Sequence, residues 1–226
     1  MLNRAARYFP ILREMRQVLD MEHGCRVLEI GSGAIGLGEF WRHPFVGCDV
    51  SFTERPRAPM QAVKCSGSRL PFAGQSFDAV VASDVMEHIP PEWRRSVVSE
   101  ALRVSRRVVV IGYPSGPSAM AADRDLREWY LKKKKVPPTW LEEHMRHPFP
   151  NGGLFSEVGE EWTVKAVPNE SVGFHSRMMR LEMYRPIDQL FRLGLLAMPN
   201  VIEGFLKRKD SEPSYRKIFV LCRQDQ

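Results

Sequence analysis

The sequence predicts a doubly wound α/β fold built on a mostly parallel sheet, and three observations carry that prediction. Short, nearly continuous Val and Ile runs recur between Cys25 and Tyr113, each followed by a polar stretch of helical character. Strands covered by helices on both faces read this way. Gly31, Gly33 and Gly36 follow the first run with G-x-G-x-x-G spacing, which lets the chain leave a strand, turn sharply and offer its backbone to a ligand. Finally, 226 residues with 43% hydrophobic content suffice for one sizeable core, so 1–226 is expected to be a single domain.

Each element follows from local pattern. Tyr8, Ile11, Leu12, Met15, Val18 and Leu19 recur at helical spacing over residues 5 to 20, with Pro10 leaving the start of that helix open. CRVLEI is a buried strand, and residues 36 to 42 begin a helix. FVGCDV, QAVKCS and FDAVVAS supply strands two to four; PEWRRSVVSEALRVS is an amphipathic helix with Pro91 near its N-terminus; RRVVVIGY is the fifth strand. Beyond Pro114 a helix from about 119 to 135 ends in the run Lys132 to Lys135, and Thr139 with Glu142 predicts a capping box for a second, short helix. HPFPNGG is a loop. EWTVKAV and RKIFVLC are two further strands, separated by a long helical insertion, residues 171 to 207, rich in Met, Leu and Phe.

Composition narrows the functional classes. Lys and Arg total 33 against 27 Asp and Glu, a net charge of +6 that fits either a solvated basic surface or an anionic partner. Cys25, Cys48, Cys65 and Cys222 lie far apart with no C-x-x-C pair, which favours buried thiols in a reducing cytoplasm over disulfides or zinc. No apolar run approaches the ~20 residues needed to span a bilayer, so a soluble, cytoplasmic protein is expected. His144, His147 and His175 are dispersed in the sequence, and no metal requirement is predicted.

The glycine loop raises a choice of ligand. Glu29 stands two positions before Gly31, and a carboxylate there is an odd companion for a dianionic pyrophosphate. S-adenosyl-L-methionine carries an ammonium and a sulfonium and no phosphate, so an acid beside the loop suits it. Asp49 ends the second strand, where a carboxylate accepts from both hydroxyls of an adenosine ribose. Asp49 locates an adenosine without choosing between the two cofactors.

These residues, together with RLPFAGQSFDAVVASDVMEHIP (69–90), resemble the class I S-adenosylmethionine-dependent methyltransferases. The small-molecule group that includes the ubiquinone and menaquinone biosynthesis enzymes is the nearest in pattern. The likeness rests on Leu70, Pro71, Phe72, then Ser76, Phe77, Asp78, then Glu87, His88, and it spans Val27 to Pro114. It implies a Rossmann-like sheet of seven strands, with YRKIFVL as an antiparallel closing strand (215–223). Residues 1–114 become the cofactor half and 115–207 a helical acceptor and lid region. Three departures stand out: Ile35 where a glycine is usual, Ser66 where an acid commonly meets the adenine, and VSRRVVV in place of a glycine turn.

Carried over residue by residue, the resemblance implies Glu29, Gly31 and Gly33 around the methionine moiety. Asp49 falls on the ribose, Ser66 and Gly67 fall near adenine, and Ser83 and Asp84 lie on the methyl-transfer side. Ser32 and Val50, adjoining Gly33 and Asp49, are counted with the cofactor site. Methyl transfer from a sulfonium needs chiefly alignment, with a base only for poorly ionised acceptors. His88 and Asp84 are the candidate catalytic groups, each with a structural alternative: a helix anchor for His88, a hydrogen-bonding turn residue for Asp84.

On the acceptor side, Phe174, Met178, Leu181, Ile187, Leu190, Phe191, Leu195 and Leu196 recur at helical spacing, as a packing face or as a lid over a bulky apolar acceptor. FRLGLLAMPNVIEGFLKRK, ending in Lys207, Arg208 and Lys209, leaves membrane-surface contact open. No N/D-P-P-Y sequence follows the fourth strand, which speaks against nucleic-acid amines. The expected activity is methyl transfer from S-adenosyl-L-methionine to an oxygen, less readily a nitrogen or carbon, of a small acceptor that is apolar, lipid-linked or sugar-containing. Two rivals share the glycine spacing: an NAD(P)-dependent oxidoreductase and a non-catalytic interaction module.

Overall fold

The computed structural model describes residues 1–20, 24–133, 135–182 and 184–224; Lys134 of the lysine run lies outside them. Seven strands form one sheet: β1 (Val27–Ile30), β2 (Phe45–Asp49), β3 (Met60–Lys64), β4 (Phe77–Ser83), β5 (Ser105–Pro114), β6 (Trp162–Ser171) and β7 (Ser214–Arg223). Their order is β3-β2-β1-β4-β5-β7-β6. The first five run parallel, and β7 lies antiparallel between β5 and β6. The α/β architecture is the expected one, with the antiparallel strand last in the chain. Around it lie α1 (Leu2–Val18), α2 (Pro91–Val104), α3 (Gly116–Lys132), α4 (Thr139–His144), α5 (Val172–Leu181), α6 (Arg185–Ala197) and α7 (Pro199–Lys207).

The strands read as continuous apolar runs because both faces are buried. Leu28, Ile30, Val80, Ala82, Val109 and Ile111 meet Val97, Val98, Ala101 and Val104 of α2 on one side. Their sequence neighbours Val27, Ala79, Val81, Val108 and Val110 meet Tyr8, Ile11, Leu12 and Met15 of α1 on the other. Period-two alternation thus sorts each strand between two helical layers. Strand order reverses on either side of β1, and the C-terminal ends of β1, β2 and β4 diverge there into a cleft.

Four local expectations are corrected. The first helix begins at Leu2 and runs through Pro10. Proline removes the donor that the Ala6 carbonyl would accept, and Asn169 Nδ2 supplies one instead at 3.2 Å. Residues 36 to 42 form only a single 3₁₀ turn, Gly36–Glu39. Gly36 has φ +49°, outside the helical region, and Glu29 Oε2 accepts from the Leu37 N–H at 2.6 Å, so the backbone donor goes to a side chain. α4 has Pro138 at its N-cap with no side-chain cap, which makes Thr139 its first helical residue and not a capping hydroxyl. The insertion from 171 to 207 is broken into α5, α6 and α7, and its apolar stripe divides. Met178 is buried and Phe174, Phe191 and Leu195 are partly buried against α1, α3 and α4, whereas Leu190 and Leu196 are 69% and 73% exposed.

The motifs of residues 70–78 have structural work in the fold. Leu70 is buried, Phe72 meets Phe77 edge-on at 5.0 Å, and Asp78 Oδ2 accepts from the Arg26 N–H at 2.9 Å. Glu100 and Arg103 of α2 clamp this loop through the Leu70 N–H and the Leu70 and Phe72 carbonyls. Cys48, Cys65 and Cys222 are free thiols. Among the described residues no helix is long and apolar enough to cross a membrane.

Candidate active site

A cavity of about 1000 Å³ opens at the C-terminal ends of β1, β2 and β4. Gly31, Gly33, Asp49, Val50, Ser66, Gly67, Asp84 and His88 line it, so eight of the residues singled out from sequence converge on one space. Glu29, Ser32 and Ser83 do not line it: all three are buried.

Asp49 holds the glycine loop. Its Oδ2 accepts from the Gly33 N–H at 3.0 Å and its Oδ1 from the Ser51 N–H at 3.2 Å, leaving further lone pairs on the cavity side. Gly31 takes φ +71°, and a Cβ there would collide with Val85. The second glycine, Gly33, takes φ +54°, so the turn depends on residues without side chains.

Glu29 faces away from this space. Its Oε1 accepts from the Tyr8 hydroxyl at 2.8 Å, and its carboxylate fills the room that a Cβ on Gly36 would occupy. Burial pushes its carboxyl up to about 7, against the opposing effect of its hydrogen bonds from Leu37 and Tyr8. Ser66 spends its hydroxyl on Ser68 Oγ at 2.8 Å. Ser83 Oγ is buried with no partner among the described residues.

Asp84 follows β4 with φ +51° and is locked in charge pairs. Arg216 of β7 grips it with two hydrogen bonds, of 2.6 and 2.7 Å, and Arg7 Nε stands 3.2 Å away. Burial raises its pKa, but Arg216 and Arg7 outweigh that and hold the carboxyl at about 2. A carboxylate so weakly basic is a poor proton acceptor at neutral pH and a good anchor. Arg216, 1% exposed, reaches on to Glu170 Oε2 at 2.7 Å and Asn169 Oδ1 at 3.1 Å, tying β4, β6 and β7 together.

Next to this network lies a cluster that spacing in the sequence did not suggest. Glu87, His88 and His144 bring one potential ligand atom each within 4.8 Å of one another, the single such group among the described residues. His144 Nε2 is 3.7 Å and His88 Nε2 4.0 Å from Glu87 Oε1. On the far side of its ring, His144 Nδ1 meets the fully buried Asp123 carboxylate at 2.7 Å, and that carboxylate also accepts from the Tyr215 hydroxyl. His88 Nδ1 lies 3.0 Å from Glu143 Oε2, within ion-pair reach but off the line of a hydrogen bond. Burial, with His144 adding to it, lowers the His88 pKa, while Glu143 and Asp84 oppose. Burial first, and then the Asp84 charge, raise Glu87 well above the usual carboxylate range. Of the other histidines singled out from sequence, His175 stacks on Tyr215 and lines a small cavity together with His88 and His144, and His147 lines a separate pocket.

A second, smaller cavity of about 150 Å³ adjoins the first, and Asp84, His88 and Trp140 line both. Residues 171 to 207 contribute only His175 and Met179 to it and none to the large cavity. Trp93, Trp140 and Glu143 shape the large cavity and were not legible beforehand, because their place depends on how α2 and α4 pack. Arg216 did leave a signal: a charge in the apolar run of β7, where both faces are buried.

Residues 28–110 match the family described as a methyltransferase domain. A curated protein of Mycobacterium sp. (strain KMS), called an uncharacterized methyltransferase, is 35% identical over 91 residues, 37% of this chain and 35% of its own length. The chain therefore spans about a third of the curated relatives it matches. Among solved structures, the CurJ carbon methyltransferase superposes with a TM-score of 0.53 at 15% identity over 95% of this chain and 52% of its own. The PH0226 protein of Pyrococcus horikoshii OT3 gives 0.50 at 16% identity over 95% and 87%. At these identities the superpositions speak for the fold. Residues 28–110 are thus similar to a methyltransferase domain, and they lie within a seven-stranded sheet of the Rossmann-like class.

Proposed function

We propose that this chain is an S-adenosyl-L-methionine-dependent methyltransferase, related to the ubiquinone and menaquinone biosynthesis group, that acts on an oxygen, less readily a nitrogen or carbon, of a small-molecule acceptor. The observation that carries the reading is the convergence of Asp49, the positive-φ glycines Gly31 and Gly33, and His88 on one cavity in a domain of that family. The cavity fits the cofactor. Its volume of about 1000 Å³ accommodates a nucleoside with room for an acceptor, and its carboxylate at the end of β2 suits a ribose diol. A single 3₁₀ turn, not an α-helix, follows the loop, so the helix N-terminus on which a dinucleotide pyrophosphate rests is missing, which favours the sulfonium cofactor over NAD(P).

When bound, the cofactor supplies an electrophilic methyl carbon: the acceptor oxygen bonds to it as the S–CH3 bond breaks, and S-adenosyl-L-homocysteine leaves. The chain's own groups bind and orient. Asp49 would accept from the ribose hydroxyls, the backbone at Gly31 and Gly33 would hold the methionine moiety, and Gly67 and Ser66 would border adenine. Asp84 and Arg216 fix the floor between the two cavities, and His88, which lines both, would take up the acceptor's proton. Trp93 and Trp140 give that end an apolar wall, consistent with an apolar acceptor.

Calorimetric titration with S-adenosyl-L-methionine, S-adenosyl-L-homocysteine and NAD(P)H tests the reading. Binding of the two sulfur nucleosides alone is expected. Asp49→Ala is expected to weaken that binding by about 1.5–3 kcal/mol, the worth of charge-assisted hydrogen bonds. Binding of NAD(P)H alone would reverse the assignment.

A further inference from the structure

Glu87 presents a chemical problem. It is fully buried, and neither carboxylate oxygen has a hydrogen-bond partner among the described residues. The Nε2 atoms of His144 and His88 stand 3.7 and 4.0 Å from its Oε1. Asp123 engages His144 at Nδ1, which places that ring's proton on Nδ1 and leaves Nε2 with a bare lone pair aimed at Glu87. Glu143 stands beside Nδ1 of His88 and biases that ring the same way. With Glu87 ionised, three acceptors then face one another, an arrangement that is costly unless a cation sits among them.

We propose that Glu87, His88 and His144 bind one first-row divalent cation at the junction of the two cavities, with Asp123 as the outer partner of His144. Two imidazoles and one carboxylate suit Mn²⁺, Fe²⁺, Co²⁺ or Zn²⁺ better than Mg²⁺ or Ca²⁺, which prefer oxygen. Ligands bound at about 2.1 Å in a tetrahedron stand roughly 3.4 Å apart, so the present separations, 3.7 Å for His144 and Glu87 and none above 4.8 Å, need to close by about 1.4 Å at most. Three protein ligands leave at least one position open, the pattern of catalytic and not structural sites. His88 lines both cavities, so the open position faces them.

The role of the cation rests on the methyltransferase reading above. An acceptor hydroxyl on the open position would be fixed beside the cofactor and made more acidic by the cation, and His88 would act as a ligand. The binding site itself does not rest on that reading, and its test separates the two.

The experiment uses the full chain, stripped with chelator and titrated with Co²⁺, whose visible absorption reports its ligands. One equivalent should bind with the spectrum of a mixed nitrogen and oxygen site, and Zn²⁺ should displace it. Glu87→Gln and His144→Gln are each expected to weaken Co²⁺ binding at least tenfold, whereas His43→Gln, at an exposed position, should not change it. Circular dichroism and S-adenosyl-L-homocysteine titration on each variant confirm that the fold persists. As a readout independent of any variant, stoichiometric Zn²⁺ should raise the melting temperature of the stripped wild-type protein. Absence of a bound equivalent in wild type, or unchanged affinity in Glu87→Gln, overturns the site and means that Glu87 is held by a proton shared with His144. If Co²⁺ binds as expected but the sulfur nucleosides do not, the cation site stands and the methyltransferase reading falls.

Discussion

Glu29 shows how burial decides what a carboxyl group can do. The sequence put it near the cofactor because it stands at a strand end beside a glycine loop, yet period-two alternation places it on the face of Val27, the one covered by α1. There it joins Tyr8 to the Leu37 backbone, and burial raises its pKa to about 7. Near pH 4 the group is protonated in both the folded and unfolded chain. Between about 4.5 and 7 the unfolded chain releases the proton while the folded protein retains it, so stability falls as pH rises and the loss is complete above about 7. The difference of roughly 2.5 units corresponds to about 3 kcal/mol. Glu29→Gln removes this dependence. Urea unfolding of both proteins from pH 5 to pH 8 should show the variant gaining about 3 kcal/mol relative to wild type across that range. A constant difference would mean that Glu29 ionises freely in the folded protein. The site residues that were legible, Asp49 and the glycines, are those whose role lies in the backbone turn at a strand end. Glu87 and His144 were not, since 57 positions of sequence separate two groups that the packing of α4 brings to 3.7 Å.

Among the elements, β4, β6 and β7 are joined by charge as well as by their ladders. Arg216 is the hub: its guanidinium satisfies Asp84 at the end of β4 and Glu170 and Asn169 in β6, while Asn169 also repairs the α1 ladder at Pro10. Removing one partner of such a network leaves uncompensated buried charge, a loss of about 3–5 kcal/mol. Arg216→Met should therefore destabilise the protein by that amount in equilibrium denaturation, and adding Glu170→Gln to it should recover part of the loss. A change below about 1 kcal/mol would show that water or Arg7 already compensates Asp84. The parallel strands were readable because two covered faces leave an unbroken apolar run. α1 beyond Pro10 and the division of 171 to 207 into three helices were not, because a carbonyl rescued by Asn169 and a stripe shared between α1, α3 and solvent are tertiary facts.

For the whole molecule, the strand order places the cavity where it touches most of the fold. β1, β2 and β4 end at it, α2 and α4 wall it, and Asp84 connects it through Arg216 to the far edge of the sheet. A ligand held there cannot survive partial unfolding of any of these elements, so binding should stabilise the whole sheet cooperatively. At a free concentration of one hundred times Kd the expected gain is about 2.7 kcal/mol, which for a chain of this size raises Tm by roughly 5–10 °C. S-adenosyl-L-homocysteine should produce that shift and NADH none, in a differential scanning experiment at equal ligand concentration. In Asp49→Ala, binding weakened by about 1.5–3 kcal/mol at the same ligand concentration removes about 1.4–2.4 kcal/mol of the gain, so at most about half of the shift should remain. A full shift in the variant would place the nucleoside elsewhere in the cavity. A shift confined to one of two separate melting transitions would mean that residues 115 to 207 unfold independently of the cofactor half, against the continuous packing of α3, α4 and α5 on α1 and the sheet.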